Sequence, residues 1–415
     1  MNAEDLRKPI APVRRKSNIK VGFFWRMLFY AELFLDGLVE LLRSARLYGF
    51  DVAIVAGNER YSGHHLRVLY IGNFDSFAFV FSRMYSKFDI IERCRNIKTL
   101  GISSWTKRYR GTVDLVVIDA GLLIFKILPR EKYIKIPQWV KQRFKVPDTW
   151  ESVLKSFRKS TKKEMRRILK YGFTYKITTL EDDINFFYHQ MYMPYIKRIY
   201  GDEAIIVPEK RFLEKSHNAQ LIQLLRNEKV VLASLLSDKG RLSIEWVGGP
   251  DNIEPEMLKG ASDALDYFII RYGYENGNHT IDFGPSRPLL NDGVFQYKRK
   301  WGTYVENGRM PMGDILLRPL KFNIPVVNFF SHHHFITRNG RKLVGRILFN
   351  DRQLNARDLE YIEKRYYSQR LDHIKIFALL GLEDGVIKSA TKHSKKLRIF
   401  DLSNCFHPEE DFCRS

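Results

Sequence analysis

The chain has 415 residues, with 69 Lys and Arg against 47 Asp and Glu, which gives a formal net charge of +22. Apolar residues make up 45% and charged residues 28%, as in a folded protein of two or three domains rather than a disordered chain. The three cysteines exclude a disulfide scaffold, and a zinc finger is excluded because the chain has no CxxC pair. The excess of basic residues indicates an anionic partner, either nucleic acid, anionic lipid or a phosphate-rich small molecule; a basic surface that only aids solubility is the alternative.

The first region, 19–137, is predicted to be an α/β domain. Its apolar stretch from Val21 to Leu42 carries charges at helical spacing, so it predicts an amphipathic helix and not a membrane span, which needs ~20 apolar residues. That helix packs on its own domain or, alternatively, lies at a membrane surface. The segment before it lacks the apolar core and cleavage site of a secretory signal, so we expect a cytoplasmic protein.

Short apolar runs in this region predict buried strands at Val52–Ala56, Arg67–Ile71 and Asp114–Asp119, with a helix at Ser76–Tyr85. Gly72 and Asp119 follow or end two of these strands. They suggest either a nucleotide-binding turn or ordinary turn punctuation, and a lone glycine is far from a GxGxxG motif.

The second region, 139–317, opens with a strongly basic helix. Thr149 is a suitable N-cap, and the apolar spacing predicts a helix through Lys170 that ends at Gly172. Further predicted elements follow in the order strand, helix, two strands, helix, strand, at Thr174–Thr178, Asp182–Tyr200, Val230–Leu236, Leu242–Val247, Glu256–Tyr272 and His279–Phe283.

The third region, 321–415, is predicted to be a small α/β unit. Its strands at Arg346–Phe349, Ile374–Leu379 and Leu397–Leu402 alternate with helices at Ala356–Gln369 and about Asp384–Lys392. Asn355 is the predicted cap of the first helix. The order predicts a βαβαβ unit appended to the main body.

The segment from Asn278 to Gly302 reads NHTIDFGPSRPLLNDGVFQYKRKWG. A strand ends in Asp-Phe-Gly, a polar turn and Asp-Gly-Val follow, and an aromatic, a lysine and Trp-Gly close the pattern. It resembles the FemAB-like branch of the GNAT acyltransferase superfamily, with its CelD-like acetyltransferase domains. The resemblance extends upstream to the basic helix Ser156 to Gly172 and covers about Val146 to Val305, under half of the chain.

This resemblance implies an α/β (α+β) fold, a GNAT-like mixed sheet flanked by helices, with two GNAT-like halves and the C-terminal βαβ unit. It implies acyl transfer from acyl-CoA, with acetyl-CoA the expected donor, to an amine of a small metabolite, amino sugar or cell-envelope precursor. Lys298 matches the family's lysine, where a cation neutralises the leaving group; a surface lysine is the alternative. Asp282 orients the amine, acts as a base or simply caps a turn.

Glu245 stands in an apolar strand, where burial would raise its pKa and suit it to general-base work; a solvent-facing strand residue is the alternative. The resemblance adds the substrate-binding candidates Tyr192, Arg198, Gly284, Arg287 and Asp292. The pyrophosphate loop of typical GNAT enzymes is incomplete here, because only Gly260 of its pattern is present. The predicted phosphate-binding residues are therefore on the basic helix, namely Arg166, Arg167 and Lys170. The alternative is that these three side chains form only a solvated basic face.

No metal is expected, because the adjacent His332, His333 and His334 would point to alternate faces of a strand. Two other functions stay open beside the acyl-CoA enzyme. One is an aminoacyl-tRNA-dependent FemAB-type transferase, because the net positive charge of the chain suits tRNA binding. Against it, members of that branch commonly carry a coiled-coil arm, and the sequence has no sustained heptad repeat that would predict one. The other is a non-catalytic protein that binds an anionic polymer or touches a membrane surface through the basic helix.

Overall fold

The computed structural model describes residues 50–72, 77–97, 102–119, 132–201, 206–217, 219–238, 240–308, 314–386, 388 and 395–414. The predicted helix at Val21 to Leu42 and most of that at Asp384–Lys392 lie outside these residues. The described chain forms two compact units. Of the described residues, unit 1 contains Lys141–Pro285 and Tyr297–Tyr304, and unit 2 contains those from Phe50 to Val140, Ser286–Gln296 and those from Val305 onward.

The first part of unit 2 is built around apolar strands. Its elements are β1 (Phe50–Glu59), β2 (His65–Gly72), α1 (Phe77–Met84), β3 (Tyr85–Ile97), α2 (Ile102–Arg108), β4 (Leu115–Asp119) and β5 (Ile134–Pro137). The strands predicted from apolar runs, and the helix between them, are confirmed. The edge strand β3 was missed, because its largely exposed residues mix charge with apolar side chains and do not show a buried run.

Unit 1 follows with alternating helices and strands. Its elements are β6 (Val140–Lys145), α3 (Trp150–Ser156), α4 (Lys159–Lys170), β7 (Thr174–Thr178), α5 (Glu181–Phe186), a π-helical segment (Phe187–Tyr192), α6 (Met193–Tyr200), α7 (Glu209–Ser216), β8 (Ala219–Arg226), β9 (Lys229–Asp238), β10 (Leu242–Gly248), α8 (Pro255–Leu258), α9 (Ala261–Glu275), β11 (Thr280–Ser286), α10 (Gly293–Arg299) and β12 (Tyr304–Asn307). The chain passes into unit 2 and back around the start of α10.

The remainder of unit 2 contains the three strands and the first helix of the predicted βαβαβ unit. Its elements are β13 (Asp314–Pro319), α11 (Ile324–His332), β14 (Phe335–Asn339), β15 (Lys342–Phe349), α12 (Ala356–Tyr366), β16 (Ile374–Ala378), β17 (Leu397–Asp401) and α13 (Pro408–Arg414). The strands β15, β16 and β17 are parallel neighbours, as predicted. Asn355 caps α12 through a capping box with Asp358.

The strands form mixed sheets flanked by helices, which confirms the α/β fold class. The strand orders are β3-β1-β2-β4-β13-β5, β12-β6-β11-β10-β9-β8-β7 and β14-β15-β16-β17. The division into domains 19–137, 139–317 and 321–415 stays a prediction. Within unit 2, β13 pairs with both β4 and β5, so the N-terminal strands share a sheet with a strand from the C-terminal part of the chain.

The predicted helix from Thr149 to Lys170 is two helices. Thr149 caps the first, since its side chain accepts a hydrogen bond from the Ser152 backbone N–H. The helix stops because the Lys300 carbonyl accepts hydrogen bonds from the Arg158 N–H at 3.0 Å and from the Thr161 hydroxyl at 2.9 Å. The interruption ties the basic helix α4 to the end of the signature segment.

Two other predicted helices are each interrupted in the structure. The helix at Glu256–Tyr272 is split into α8 and α9 at Gly260, whose φ of +79° is left-handed. The helix at Asp182–Tyr200 is interrupted by the π-helical segment. Within the described residues, no helix is long and apolar enough to cross a membrane.

Gly302 fixes the contact between the signature segment and α3, so its replacement should destabilise unit 1. Its φ is +83°, and a Cβ there would lie 2.7 Å from the Ser156 carbonyl oxygen. We expect Gly302→Ala to lower the free energy of unfolding by more than the roughly 1–2 kcal/mol of a left-handed non-glycine residue. Gly277→Ala is the matched control, because Gly277 has a φ of +72° with no atom within 4 Å of the added Cβ. Equal losses in urea unfolding of the two variants would refute the steric contribution.

Candidate active site

Two neighbouring parallel strands of unit 1 separate after a short pairing. β10 and β11 are paired at Leu242 with Ile281 and at Ser243 with Asp282, and no further pairs between them occur in the described chain. β10 continues beside β9 as far as Gly248, whereas β11 turns at Gly284, whose φ is +75°. We call the space between 244–248 and 283–285 the wedge. Main-chain groups that line it are not used by a β10–β11 ladder and can bind an extended ligand.

The separation has a local cause in β10. The register with β9 shifts between Ile244 and Trp246, so Glu245 is the extra residue of a β-bulge. A bulge bends its strand and increases its twist. At the end of β10, Gly248 lets the π-helical segment approach, because a Cβ there would lie 2.8 Å from the Tyr192 backbone.

Asp282 lies at the closed end of the wedge, surrounded by cations. Its carboxylate accepts a hydrogen bond from the Arg143 Nε at 3.0 Å and lies within 4.0 Å of the Lys141 and Arg241 side chains. Its other oxygen accepts a hydrogen bond from the Gly284 N–H at 2.9 Å. The side chain therefore holds the turn of β11 in place and links β11 electrostatically to β6 and to the start of β10.

Lys298 lies on α10 and reaches β11. Its ammonium donates a hydrogen bond to the Pro285 carbonyl at 2.7 Å. Pro285 and Gly284 form the end of β11, so this contact places a positive charge on the β11 side of the wedge. Of the sequence candidates in unit 1, Lys298, Asp282 and Gly284 are thus brought together by β11.

Glu245 projects from the bulge of β10 and is half-buried rather than buried. One carboxylate oxygen accepts a hydrogen bond from the Ser237 hydroxyl at 2.6 Å, and the other lies 3.4 Å from the Lys215 ammonium. The side chain keeps 23% of its surface exposed. It is therefore fixed in orientation but still accessible to a proton donor.

A buried acidic group that sequence analysis missed lies on α9. Burial raises the pKa of Asp266 to about 7, the carboxylate of Asp263 adds to the rise, and Tyr297, Lys298 and Lys300 oppose it. Asp263 forms an ion pair with Lys300, whose ammonium also lies 4.2 Å from the centre of the Tyr297 ring. Burial, together with the nearby carboxylates, raises the pKa of the Tyr297 hydroxyl well above its usual range.

This group, the α9–α10 cluster, comprises Asp263, Asp266, Tyr297, Lys298 and Lys300. Perturbed titrating groups are concentrated at functional sites, although structural networks perturb pKa values too. The available sequence signal was an aspartate next to the inward-facing Leu265 in an otherwise apolar helix stretch. Only the folded chain shows that Tyr297 lies beside it.

The basic helix α4 presents its cations to solvent. The sequence candidates Arg166, Arg167 and Lys170 are all exposed, and Arg167 pairs with Glu164 at 3.0 Å. The opposite side of the helix buries Thr161 and Ile168. An exposed row of cations can bind phosphates, and it can equally be a surface that contacts only water.

Tyr192 and Arg198 have packing and surface roles in the structure. The Tyr192 ring is buried, and its hydroxyl accepts a hydrogen bond from the Val207 N–H at 3.4 Å. Arg198 is partly exposed and pairs with Asp251 at 2.6 Å. Ligand contact at these two positions stays a prediction from the resemblance.

Arg287 and Asp292 belong to unit 2. Asp292 accepts hydrogen bonds from the N–H groups of Val294 and Phe295, so it caps α10. Its second oxygen lies 3.7 Å from Arg83 and 4.0 Å from Arg287. The Asp-Gly-Val part of the signature therefore has a structural role, because it starts α10. Ligand contact at Asp292 and Arg287 stays a prediction.

The three consecutive histidines end α11. His332 stacks on Tyr61, His333 is buried and His334 is half-buried. Burial lowers the pKa of both His333 and His334 to about 4. Across the described ranges, no group of three or more His, Cys, Asp or Glu side chains is arranged to hold a metal ion.

No protein-family model matches the chain, and no curated protein matches it. Solved structures similar to it include FemX, at 12% identity and a TM-score of 0.35, over 65% of this chain and 84% of that one. L-PGS from Bacillus licheniformis matches at 14% identity and a TM-score of 0.31, over 63% and 79%. A GCN5-related N-acetyltransferase from Sphaerobacter thermophilus matches at 10% identity and a TM-score of 0.29, over 66% and 78%.

Identities and TM-scores of this size transfer no activity or substrate to the chain.

Proposed function

We propose that unit 1 is an N-acyltransferase domain that transfers an acyl group from acyl-CoA, in the first instance acetyl-CoA, to an amine of a small metabolite, amino sugar or cell-envelope precursor. The observation that carries the proposal is the wedge between β10 and β11. An extended, amide-containing donor such as the pantetheine arm of CoA can pair with the strand edges that this separation leaves. Because CoA is a cytoplasmic metabolite, the proposal also favours a cytoplasmic location.

Acyl transfer joins the amine nitrogen to the thioester carbon and breaks the carbon–sulfur bond. Negative charge develops first on the carbonyl oxygen and then on the leaving thiolate. Main-chain N–H groups in the wedge are suitable donors to the carbonyl oxygen. The Lys298 ammonium, held at the Pro285 carbonyl, is the cation proposed to neutralise the thiolate.

The attacking amine must lose a proton. Glu245 is proposed as the proton acceptor, since it is fixed by Ser237 and Lys215 and stays accessible. Asp282 is proposed to orient rather than to accept, because its carboxylate is buried beside three cations, Lys141, Arg143 and Arg241. The exposed cations Arg166, Arg167 and Lys170 are proposed to bind the phosphates of the donor.

A second candidate function is aminoacyl transfer from tRNA. It is favoured by α4, which carries six basic residues and only Glu164 as an acid, with the basic side chains exposed. A row of exposed cations neutralises successive phosphates, and such binding weakens steeply with salt. A non-catalytic protein that binds an anionic polymer or a membrane surface would show the same salt dependence without turnover.

A thermal-shift titration with CoA, acetyl-CoA, long-chain acyl-CoA and bulk tRNA at two salt concentrations separates these functions. A ligand that binds only the folded state stabilises it by RT ln(1 + [L]/Kd). We expect acetyl-CoA to raise the midpoint at both salt concentrations. Neutralising Arg166, Arg167 and Lys170 to Gln should reduce that shift, whereas the pair Lys210→Gln and Arg211→Gln on α7, exposed in the same unit, should leave it unchanged.

Other outcomes assign the function differently. A shift with tRNA alone that vanishes at high salt would favour the second function and call for an aminoacyl-transfer assay. If no acyl-CoA shifts the midpoint at either salt concentration, the acyl-CoA proposal is wrong.

A further inference from the structure

Three adjacent parallel strands in unit 2 each carry a cation at the same level. Arg346 of β15 is the register partner of Lys375 of β16, and Lys375 is the partner of Arg398 of β17. Register partners share a face of the sheet, and neighbouring strands are ~4.8 Å apart. Like charges side by side on one face destabilise a sheet. The row therefore needs negative charge or acceptor groups close to it.

The chain itself supplies acceptors for Arg346. Its guanidinium donates a hydrogen bond to the Phe412 carbonyl on α13. It also lies 4.9 Å from the ring centre of Phe377 and 5.1 Å from that of Phe412. The Arg346 guanidinium therefore already has a hydrogen-bond acceptor and aromatic contacts within unit 2.

Lys375 lacks such a partner in the part of the chain that the structure describes. It is only 8% exposed, and no carboxylate forms an ion pair with it there. Burial and the charges of Arg346 and Arg398 lower its pKa to about 8. A buried cation of this kind is costly without a counter-ion.

His373 adds a buried polar atom to the same place. It lies two residues before Lys375, and its carbonyl accepts a hydrogen bond from Gly345, so the β16 ladder extends to it and the two side chains share a face. The residue is 3% exposed, and its Nδ1 lies 2.8 Å from an Asp372 carboxylate oxygen. Its buried Nε2 has no hydrogen-bond partner within the described ranges. Burial lowers the pKa of His373, the hydrogen bond to Asp372 opposes that shift, and the charges of Arg398 and Lys375 add to it.

We propose that Lys375, Arg398 and His373 bind a phosphoryl group at the amino ends of β16 and β17. The lysine and arginine supply charge-assisted hydrogen bonds, and the imidazole donates from Nε2 once protonated. Donors from three side chains suit a tetrahedral oxyanion better than a planar carboxylate. The site lies in unit 2 and does not depend on the proposed transferase activity. The phosphoryl group belongs either to a soluble metabolite or to a phospholipid headgroup.

Calorimetric titration of the full chain with inorganic phosphate and with pyrophosphate, against sodium chloride of equal ionic strength, tests the site. We expect saturable binding that chloride does not reproduce. Lys375→Met keeps the volume of the side chain and removes its charge, and Arg398→Gln removes the exposed cation. Each should weaken phosphate binding by about tenfold or more, because a hydrogen bond to a charged group contributes about 1.5–3 kcal/mol.

The matched control is Lys396→Met. Lys396 lies two residues before Arg398 but pairs with Glu363 on α12, so phosphate affinity should not change. Flotation with phosphatidylcholine vesicles, with and without phosphatidic acid, distinguishes the sources. Binding only to the phosphatidic acid vesicles, lost in Lys375→Met, assigns a lipid headgroup; solution binding alone assigns a soluble phosphate.

Two results would overturn the proposal. One is the absence of both phosphate and vesicle binding above the chloride or phosphatidylcholine controls. The other is unchanged affinity in Arg398→Gln, which should fold because Arg398 is exposed, whether or not Lys375→Met is recovered as a folded protein.

Discussion

Replacing Lys298 by methionine should lower turnover by about 10²–10³-fold in an acetyl-CoA-dependent assay, with little change in the thermal midpoint. That factor is typical of removing one electrostatic contact that acts on charge developing in the transition state. The ammonium lies at the Pro285 carbonyl beside the wedge, and methionine keeps the apolar stem while removing the charge. The loss should appear in kcat and kcat/KM together, because the interaction is made in the transition state.

Lys298→Arg and Lys259→Met are the controls for this result. Arginine keeps a cation at the same place and should recover part of the rate, although its planar fork is not equivalent to an ammonium. Lys259 is exposed and pairs with Glu256 on α8, so its replacement should leave turnover unchanged. If Lys298→Met keeps full turnover, Lys298 has no role at the leaving group.

Replacing Asp266 by asparagine should change how stability depends on pH. The pKa of Asp266 is raised from 3.8 to about 7 by burial. Between these values the folded chain holds a proton that the unfolded chain has released. Stability therefore falls as pH rises from about 4 to about 7 and is lowered by a constant amount above that range. Each pKa unit corresponds to about 1.4 kcal/mol, so the full effect at pH 8 is on the order of 4 kcal/mol.

Asparagine cannot ionise, so Asp266→Asn should gain stability relative to the natural chain as pH rises from about 4 to about 7. The measurement is the free energy of urea unfolding at several pH values between 4 and 9. Asp251→Asn is the control: Asp251 is exposed and pairs with Arg198 on α6, so its replacement should not reproduce that pH-dependent gain. Parallel pH profiles for Asp266→Asn and the natural chain would show that Asp266 is not the titrating group.

The functional consequence of Asp266 follows from its neighbours. Its charge acts on Lys298 and Lys300, and the carboxylate is too buried to touch a substrate. If the α9–α10 cluster positions Lys298, Asp266→Asn gains stability but loses turnover. If Asp266→Asn gains stability and keeps full turnover, Asp266 has only a structural role in unit 1.

Local chemistry was sufficient to predict many elements. Short-range patterns account for the buried runs of β2 and β4, the caps Thr149 and Asn355, and the C-terminal elements β15, α12, β16 and β17. Capping hydrogen bonds and strand burial depend on residues within a few positions of each other. The basic character of α4 could likewise be read directly from its composition.

Elements that depend on distant residues were not predicted. The break before α4 requires the Lys300 carbonyl, which lies far along the chain from Arg158. The grouping of the N-terminal and C-terminal strands in unit 2 requires β13 to pair with β4 and β5. No pattern within either segment contains that information.

The candidate site divides in the same way. The sequence by itself determined which residue types are present, namely Asp282, Gly284 and Lys298 in a segment with a recognisable resemblance. Only the tertiary structure decided that β10 and β11 part after two residue pairs, that Tyr297 lies beside Asp266, and that Lys375 stands between two arginines. Those features depend on strand register and on burial, which arise from contacts between residues far apart in the chain. Burial in turn shifts the pKa of an aspartate or a lysine away from its ordinary value.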